Sequence, residues 1–204
     1  MKQAYIGIVL YEDVEVLDFS GPFEVFATAR RVAQKRGEVF PYSPLLLAPS
    51  LQAVTARAGY RVLPDHALSD HPALDVLLVP GGVHEPQLEN VVLLDWIREQ
   101  AGAVSLLTSV CTGAFLLAQA GCTSGKTVTT HWEDIPDFRR RYPDIDVREN
   151  VRWVEDGALI SSAGISAGID MALQMVARLG SEAFALQTAR QMEFDWQRTG
   201  VTLG

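Results

Sequence analysis

Three runs of this chain, Ala4–Leu10 (AYIGIVL), Val76–Val79 (VLLV) and Leu106–Val110 (LLTSV), are apolar with almost no alternation. A strand that shows one face to water alternates polar and apolar residues. A strand apolar on both faces has to be covered on both, which points to a parallel sheet with helices on each side. The runs also fall far short of the roughly 20 residues that cross a bilayer, so no membrane partner is expected.

Between these runs the sequence spells helices. Pro22, after the turn-like Phe19-Ser20-Gly21, reads as a first helical residue, and Pro22–Lys35 places Phe23, Phe26 and Ala29 on one broad face with Arg30, Arg31 and Lys35 toward the end that favours cations. Tyr42–Ala48 is the next predicted strand, Ala53–Val62 a short hairpin around Gly59, and Asp75–Val79 a strand stopped by Pro80-Gly81-Gly82. An amphipathic helix over Val91–Ala101, a strand over Val104–Val110 and a helix over Thr112–Ala120 ended by Gly121 continue the alternation. Then come a strand at Thr127–Thr130, a helix near Asp134–Tyr142, a hairpin from Asn150 to Ser162 turning at Asp156-Gly157, and two closing helices, Ser166–Leu179 and Ser181 to about Asp195. The repeated βα order, with no repeat, linker or low-complexity tract, predicts a single α/β domain over residues 1–204 of flavodoxin-like type. Ligands of such sheets bind at the carboxyl ends of the strands.

Composition narrows the function. With 204 residues, 48% of them hydrophobic, the chain can build one large core. Seventeen Lys and Arg against 25 Asp and Glu give a formal charge of −8, and Arg139-Arg140-Arg141 is the longest basic cluster, so nucleic acid is not an expected partner. The opening Met1-Lys2-Gln3 and the acidic Glu12, Asp13 and Glu15 do not resemble a secretory signal. Two cysteines 11 residues apart supply neither a disulfide framework nor a zinc pattern, and the four histidines lack ligand spacing. The expectation is a cytoplasmic protein with no bound metal.

Chemistry concentrates at Ser109-Val110-Cys111-Thr112-Gly113, where a cysteine falls between a strand and a helix with a small residue two before and two after it. That is the pattern of a nucleophile elbow: the sharp turn pushes the central side chain out, and small neighbours let the backbones approach. The amides of the following helix would favour the thiolate and lower its pKa. A lone cysteine is more commonly a small buried hydrophobe, but that reading accounts for neither the small neighbours nor the position. Cys122, after Gly121, has no such setting and reads as core. At the end of the neighbouring strand, the N–H of Gly82 could join that of Thr112 as an oxyanion hole, although Gly-Gly is also a plain turn. Asp18, among apolar neighbours in LDFSGP, would have a raised pKa and could donate to the sulfur, or could simply cap a helix. His131 and Trp132 end another strand; the histidine could pair with Cys111 or rest in a half-buried structural role, and the tryptophan could cap the core. The small residues around Ile165 suit a pocket wall, and Asp170 reads as serving the start of the last strand's helix.

Taken together, LDFSGP, VPGG, SVCTGAFLLAQAG, GKTVTTHW and AGISAGIDMAL resemble, in order from about Tyr5 to Gln174, the DJ-1/PfpI (ThiJ) superfamily. Within it the chain looks most like the isocyanide hydratase branch and the amidotransferase-like domains that precede AraC-type regulators. The resemblance implies a three-layer flavodoxin-like sandwich, a homodimer, a small-molecule substrate and no cofactor. It also implies Cys111 as nucleophile, Asp18 against its sulfur and Thr112 lining the site, with Gly82, His131, Trp132 and Ile165 as candidate oxyanion or substrate contacts. In the hydratase reading Cys111 attacks an isocyanide to give a thioimidate that water converts to an N-formamide. The PfpI-like proteases carry a His directly after the cysteine where this chain has Thr112, which disfavours peptidase chemistry; the DJ-1-type branch has a Glu in place of Asp18, which makes glyoxalase or deglycase activity a weaker alternative. The other reading is a non-catalytic module that senses a ligand or the redox state of Cys111. With only two helices expected after the last strand, the chain is not expected to carry the helix-turn-helix region of a regulator.

Overall fold

A computed structural model describes residues 3–203; Met1, Lys2 and Gly204, and with them part of the leader reading, lie outside the described residues. The apolar runs become strands of one eight-stranded sheet: β1 (Ala4–Val9), β2 (Tyr42–Ala48), β3 (His66–Ala67), β4 (Val76–Val79), β5 (Leu106–Val110), β6 (Trp153–Asp156), β7 (Leu159–Ser162) and β8 (Val201–Leu203). Their spatial order is β8-β6-β7-β5-β4-β1-β2-β3. Every neighbouring pair is parallel except the β6–β7 hairpin. All residues of β4, β5 and β7 are buried, as strands covered on both faces must be.

Helices α1 (Val16–Lys35), α5 (Ala167–Leu179) and α6 (Glu182–Gln191) pack on one another against one face, and α2 (Val91–Ala103) packs with α3 (Gly113–Gln119) against the other. A short α4 (Ile135–Arg141) stands between them in sequence. The result is a three-layer, flavodoxin-like α/β sandwich with a mostly parallel sheet. Ile6, Ile8, Leu77, Leu78, Phe26 and Phe115, all without solvent exposure, form its core. The strand order reverses at β1: its outgoing crossover leads to β2 on one side, and the chain later returns as β4 on the other. The carboxyl ends of β1 and β4 therefore flank the crevice where this architecture binds ligands.

Four expectations need correction. Helix α1 starts at Val16, not Pro22, so Asp18 sits in its first turn and not in a loop. Gly21-Pro22 spells a local turn, yet Gly21 is there for packing: a Cβ at this position would lie 2.9 Å from Cγ1 of Ile169 on α5. Thr127–Val128 is a strand, but it pairs with Asp146–Val147 outside the main sheet. Helix α6 ends at Gln191, where Phe194 N–H donates back to Ala189 and Glu193 takes a left-handed φ of 53°. The segment after it runs on to β8, a three-residue strand too short to show a period. The hairpins around Gly59 and at Asp156-Gly157 stand where expected.

Candidate active site

Strand β5 hands Cys111 to the start of α3 with φ 57°, a left-handed conformation that costs a non-glycine residue about 1–2 kcal/mol. Neighbours hold it there. Cys111 N–H donates to the Ser162 carbonyl (3.2 Å), and the Cys111 carbonyl accepts from Thr130 Oγ1 (2.9 Å) and Ala114 N–H (3.3 Å). The small residue two positions on is a steric requirement: a Cβ on Gly113 would lie 2.1 Å from the carbonyl oxygen of Val79. On the facing strand end, a Cβ on Gly81 would lie 2.7 Å from both N and Oγ1 of Thr112 and 2.8 Å from Oδ2 of Asp18. Glycines thus let three chain segments converge on one cysteine.

Asp18 is wholly buried beneath this junction. Its Oδ2 accepts from Gly81 N–H at 3.0 Å. Its Oδ1 is buried without a well-formed hydrogen bond, while the Cys111 thiol lies close enough to lower the carboxyl pKa by hydrogen bonding. Burial dominates and raises Asp18 to about 7; the Gly81 amide, the thiol and Arg57 oppose the rise, and Glu15 adds to it. The thiol does not follow the sequence expectation. Burial first and the Asp18 carboxylate second push Cys111 well above the ordinary thiol range, and the backbone amides of Thr112 and Ile165 pull only partway back. A helix start lowers a thiol pKa when the sulfur faces water, and Cys111 is 7% exposed.

The amides that favour the thiolate are those of Thr112 and Ile165. Gly82 N–H, expected beside them, instead donates to Thr112 Oγ1 at 3.0 Å, and that hydroxyl returns a bond to the Gly82 carbonyl at 3.2 Å. Gly82 itself is required for another reason: at φ 149° its Cβ would lie 2.4 Å from the Asp13 carbonyl oxygen. Ile165 has a left-handed φ of 52° and closes one side of the site. His131 turns Nδ1 toward Asp134 Oδ2 (3.2 Å) and lays its ring against Gly164, where a Cβ would lie 2.0 Å from Cδ2. Trp132 is 72% exposed and lies outside the pocket wall.

Over the thiol opens a pocket of about 330 Å³, to which Cys111, Thr112, Gly82, His131 and Ile165 all contribute. Its remaining wall includes residues that sequence reasoning passed over. Glu15 and Arg57 form an ion pair (3.1 Å), and Glu85, Glu133 and Asp134 bring three more carboxylates. His84 packs its ring on Phe115 with centroids 4.4 Å apart. Glu15 and His84 follow strand ends and were open to the rule that located Gly82. Arg57 comes from the hairpin after β2 and carries no local signal. Asp170 stands in the first turn of α5 as expected, but its buried carboxylate serves Arg152, whose Nε donates to its Oδ2 at 2.7 Å. Among the described residues both cysteines are free, no group of His, Cys, Asp and Glu is placed to hold a metal, and no helix is long and apolar enough to cross a membrane.

A cysteine held left-handed at a strand-to-helix elbow, over the carboxyl ends of a parallel sheet, places the chain in the class of elbow-bearing α/β proteins. More narrowly, it belongs to the DJ-1/PfpI family, whose model matches residues 4–178. The chain is 36% identical over 190 residues to the isonitrile hydratase of Pseudomonas putida, an alignment covering 93% of this chain and 78% of that protein. It is 33% identical over 138 residues to the HTH-type transcriptional regulator CdhR of Pseudomonas aeruginosa, covering 68% of this chain but only 41% of the regulator, so the shared part is less than half of that protein. Among solved structures it is similar to a ThiJ/PfpI family protein from Pseudomonas syringae, with a TM-score of 0.83, 28% identity, and coverage of 96% of this chain and 76% of the other.

Proposed function

We propose that this protein is a cysteine-dependent hydratase, working as a cytoplasmic homodimer, that adds water to an isocyanide to give an N-formamide. The observation that carries the reading is the wholly buried Asp18, which meets Thr112 at Gly81 under the Cys111 elbow and has its carboxyl raised to about 7. Likeness to an isonitrile hydratase over 93% of the chain supports it.

Above about pH 7 the Asp18–Cys111 pair holds a single proton. The reactive arrangement has that proton on Asp18 and the charge on Sγ, which the two amides stabilise. Sγ attacks the terminal carbon of R–N≡C, and Asp18 delivers its proton to the same carbon, giving the thioimidate R–N=CH–S–Cys111. Water then attacks that carbon; Asp18 takes a proton from the water and passes it to the nitrogen. The tetrahedral adduct R–NH–CH(OH)–S–Cys111 collapses as Asp18 accepts the hydroxyl proton. The C–S bond breaks, releasing R–NH–CHO and restoring the thiolate and the protonated carboxyl.

The test is formation of N-formamide from an aryl isocyanide, followed by absorbance, with wild type, Cys111→Ala and Asp18→Ala. Turnover by wild type, none by Cys111→Ala, and a loss of about 10²–10⁴-fold in Asp18→Ala is the expected pattern. No turnover by the wild type rejects the reading. The likeness to a transcriptional regulator favours the second reading, a pocket that binds without turnover. Saturable binding of a small molecule that survives Cys111→Ala, with no product formed, would select it.

A further inference from the structure

The turn that brings Ile165 into the wall of the Cys111 pocket is clamped from both sides by one residue that the chemistry above does not use. Arg152 enters just before β6. Its backbone carbonyl accepts from Ala163 N–H (3.0 Å), before the turn, and its Nη2 donates to Ser166 Oγ (3.2 Å), after it. The same guanidinium forms a two-point ion pair with Asp170, which is wholly buried in the first turn of α5. Asp170 in turn is met by the segment after α6: Gln197 N–H donates to its Oδ1 (2.7 Å), and Trp196 Nε1 donates to its carbonyl (3.0 Å). Arg152 N–H donates to the Thr199 carbonyl (3.0 Å), and Gly200 lies flat on the Trp153 ring, where a Cβ would fall 2.0 Å from Cε2. Two residues in left-handed conformation, Cys111 and Ile165, thus line one pocket, and the second is held by a network anchored outside it. A strained turn persists only where its surroundings hold it.

We propose that Arg152 is a positioning residue for Cys111: with Asp170 and the 196–199 segment it sets the pose of the Gly164-Ile165-Ser166 turn, and so the amide presented to the sulfur. The inference rests on Cys111 being the reacting atom. Only Arg serves here, because one planar fork meets Asp170 through Nε and Nη2 while Nη2 also reaches Ser166.

The experiment measures alkylation of Cys111 by iodoacetamide across pH, in a Cys122→Ser background so that one thiol is read. Arg152→Gln, Arg152→Lys and Ser166→Ala are compared with a core variant, Val176→Ala, that lowers the melting temperature without touching the turn. The expected result for Arg152→Gln is an inflection moved up by about one pH unit, or roughly tenfold slower alkylation at fixed pH. Arg152→Lys and Ser166→Ala should move it less and in the same direction, while Val176→Ala leaves it in place. Folded Arg152 variants with the parental pH profile would overturn the proposal. If Arg152→Gln does not fold, Ser166→Ala, which leaves the buried ion pair whole, decides the matter. Alkylation needs no isocyanide, so a failure of the hydratase reading and a failure of this one are told apart.

Discussion

Asp18 is held by the fold at a cost that the proposed hydration requires. Its pKa rises from the ordinary carboxylate range to about 7 because burial disfavours the charge, so the folded chain binds this proton more tightly than the unfolded chain. The native state is therefore favoured while Asp18 is protonated, and the contribution is lost as pH rises from about 4 through about 7. Asp18→Asn, which removes the charge and keeps an oxygen for Gly81 N–H, should raise the stability at pH 8 by about 2–4 kcal/mol, read by urea unfolding. A hydratase working as proposed should gain kcat/KM as pH rises through about 7 and the second shared proton leaves, and the same substitution should abolish that rise. A variant no more stable than wild type at pH 8 would mean that the carboxyl is solvated in the native state. Asp18 and Cys111 were legible in the sequence because an acid in an apolar segment and a cysteine between small residues are local patterns. The direction of the thiol shift was not, since it depends first on how deeply the fold buries the sulfur and then on a carboxylate 93 positions away in the chain. Arg57 and Arg152 were missed for the same reason: each acts across the fold on residues far from it in sequence.

At the scale of elements, the junction of β5 and α3 fixes where Cys111 sits. The backbone of α3 passes so close to the end of β4 that Gly113→Ala would drive a methyl group into the Val79 carbonyl. The substitution should destabilise the protein by about 1–3 kcal/mol in a thermal or urea melt and impair turnover more than its stability loss explains, because Cys111 moves with the helix. Gly102→Ala, where a Cβ meets nothing within 4 Å, is the matched control and should be close to neutral or stabilising. The parallel strands and most helices were readable from continuous apolar runs and from helical periodicity. The start of α1 was not, since Gly21-Pro22 carries a turn signal that close packing against Ile169 overrides. Strands β3 and β8 are two and three residues long, and no periodicity exists at that length.

For the whole molecule, charge shapes what reaches the thiol. A formal net charge of −8 surrounds a pocket whose rim carries Glu15, Glu85, Glu133 and Asp134 against Arg57, itself paired with Glu15. An isocyanide bearing a carboxylate should therefore react more slowly than its methyl ester, by roughly tenfold in kcat/KM at low salt, with the gap narrowing as ionic strength rises. Equal rates at all salt concentrations would place the reacting molecule's tail away from this rim. The order in which the parts are made matters too. The elbow cysteine leaves the ribosome long before Gln197 and Thr199, and β6 has an unpaired edge until Val201–Leu203 is laid beside it. A nascent chain thus carries Cys111 in a half-built pocket until residues 196–203 emerge, with Asp170 and Arg152 still missing their outermost partners. The thiol's surroundings are therefore completed about 90 residues of synthesis after the thiol itself is made, roughly 5–20 s at ordinary elongation rates.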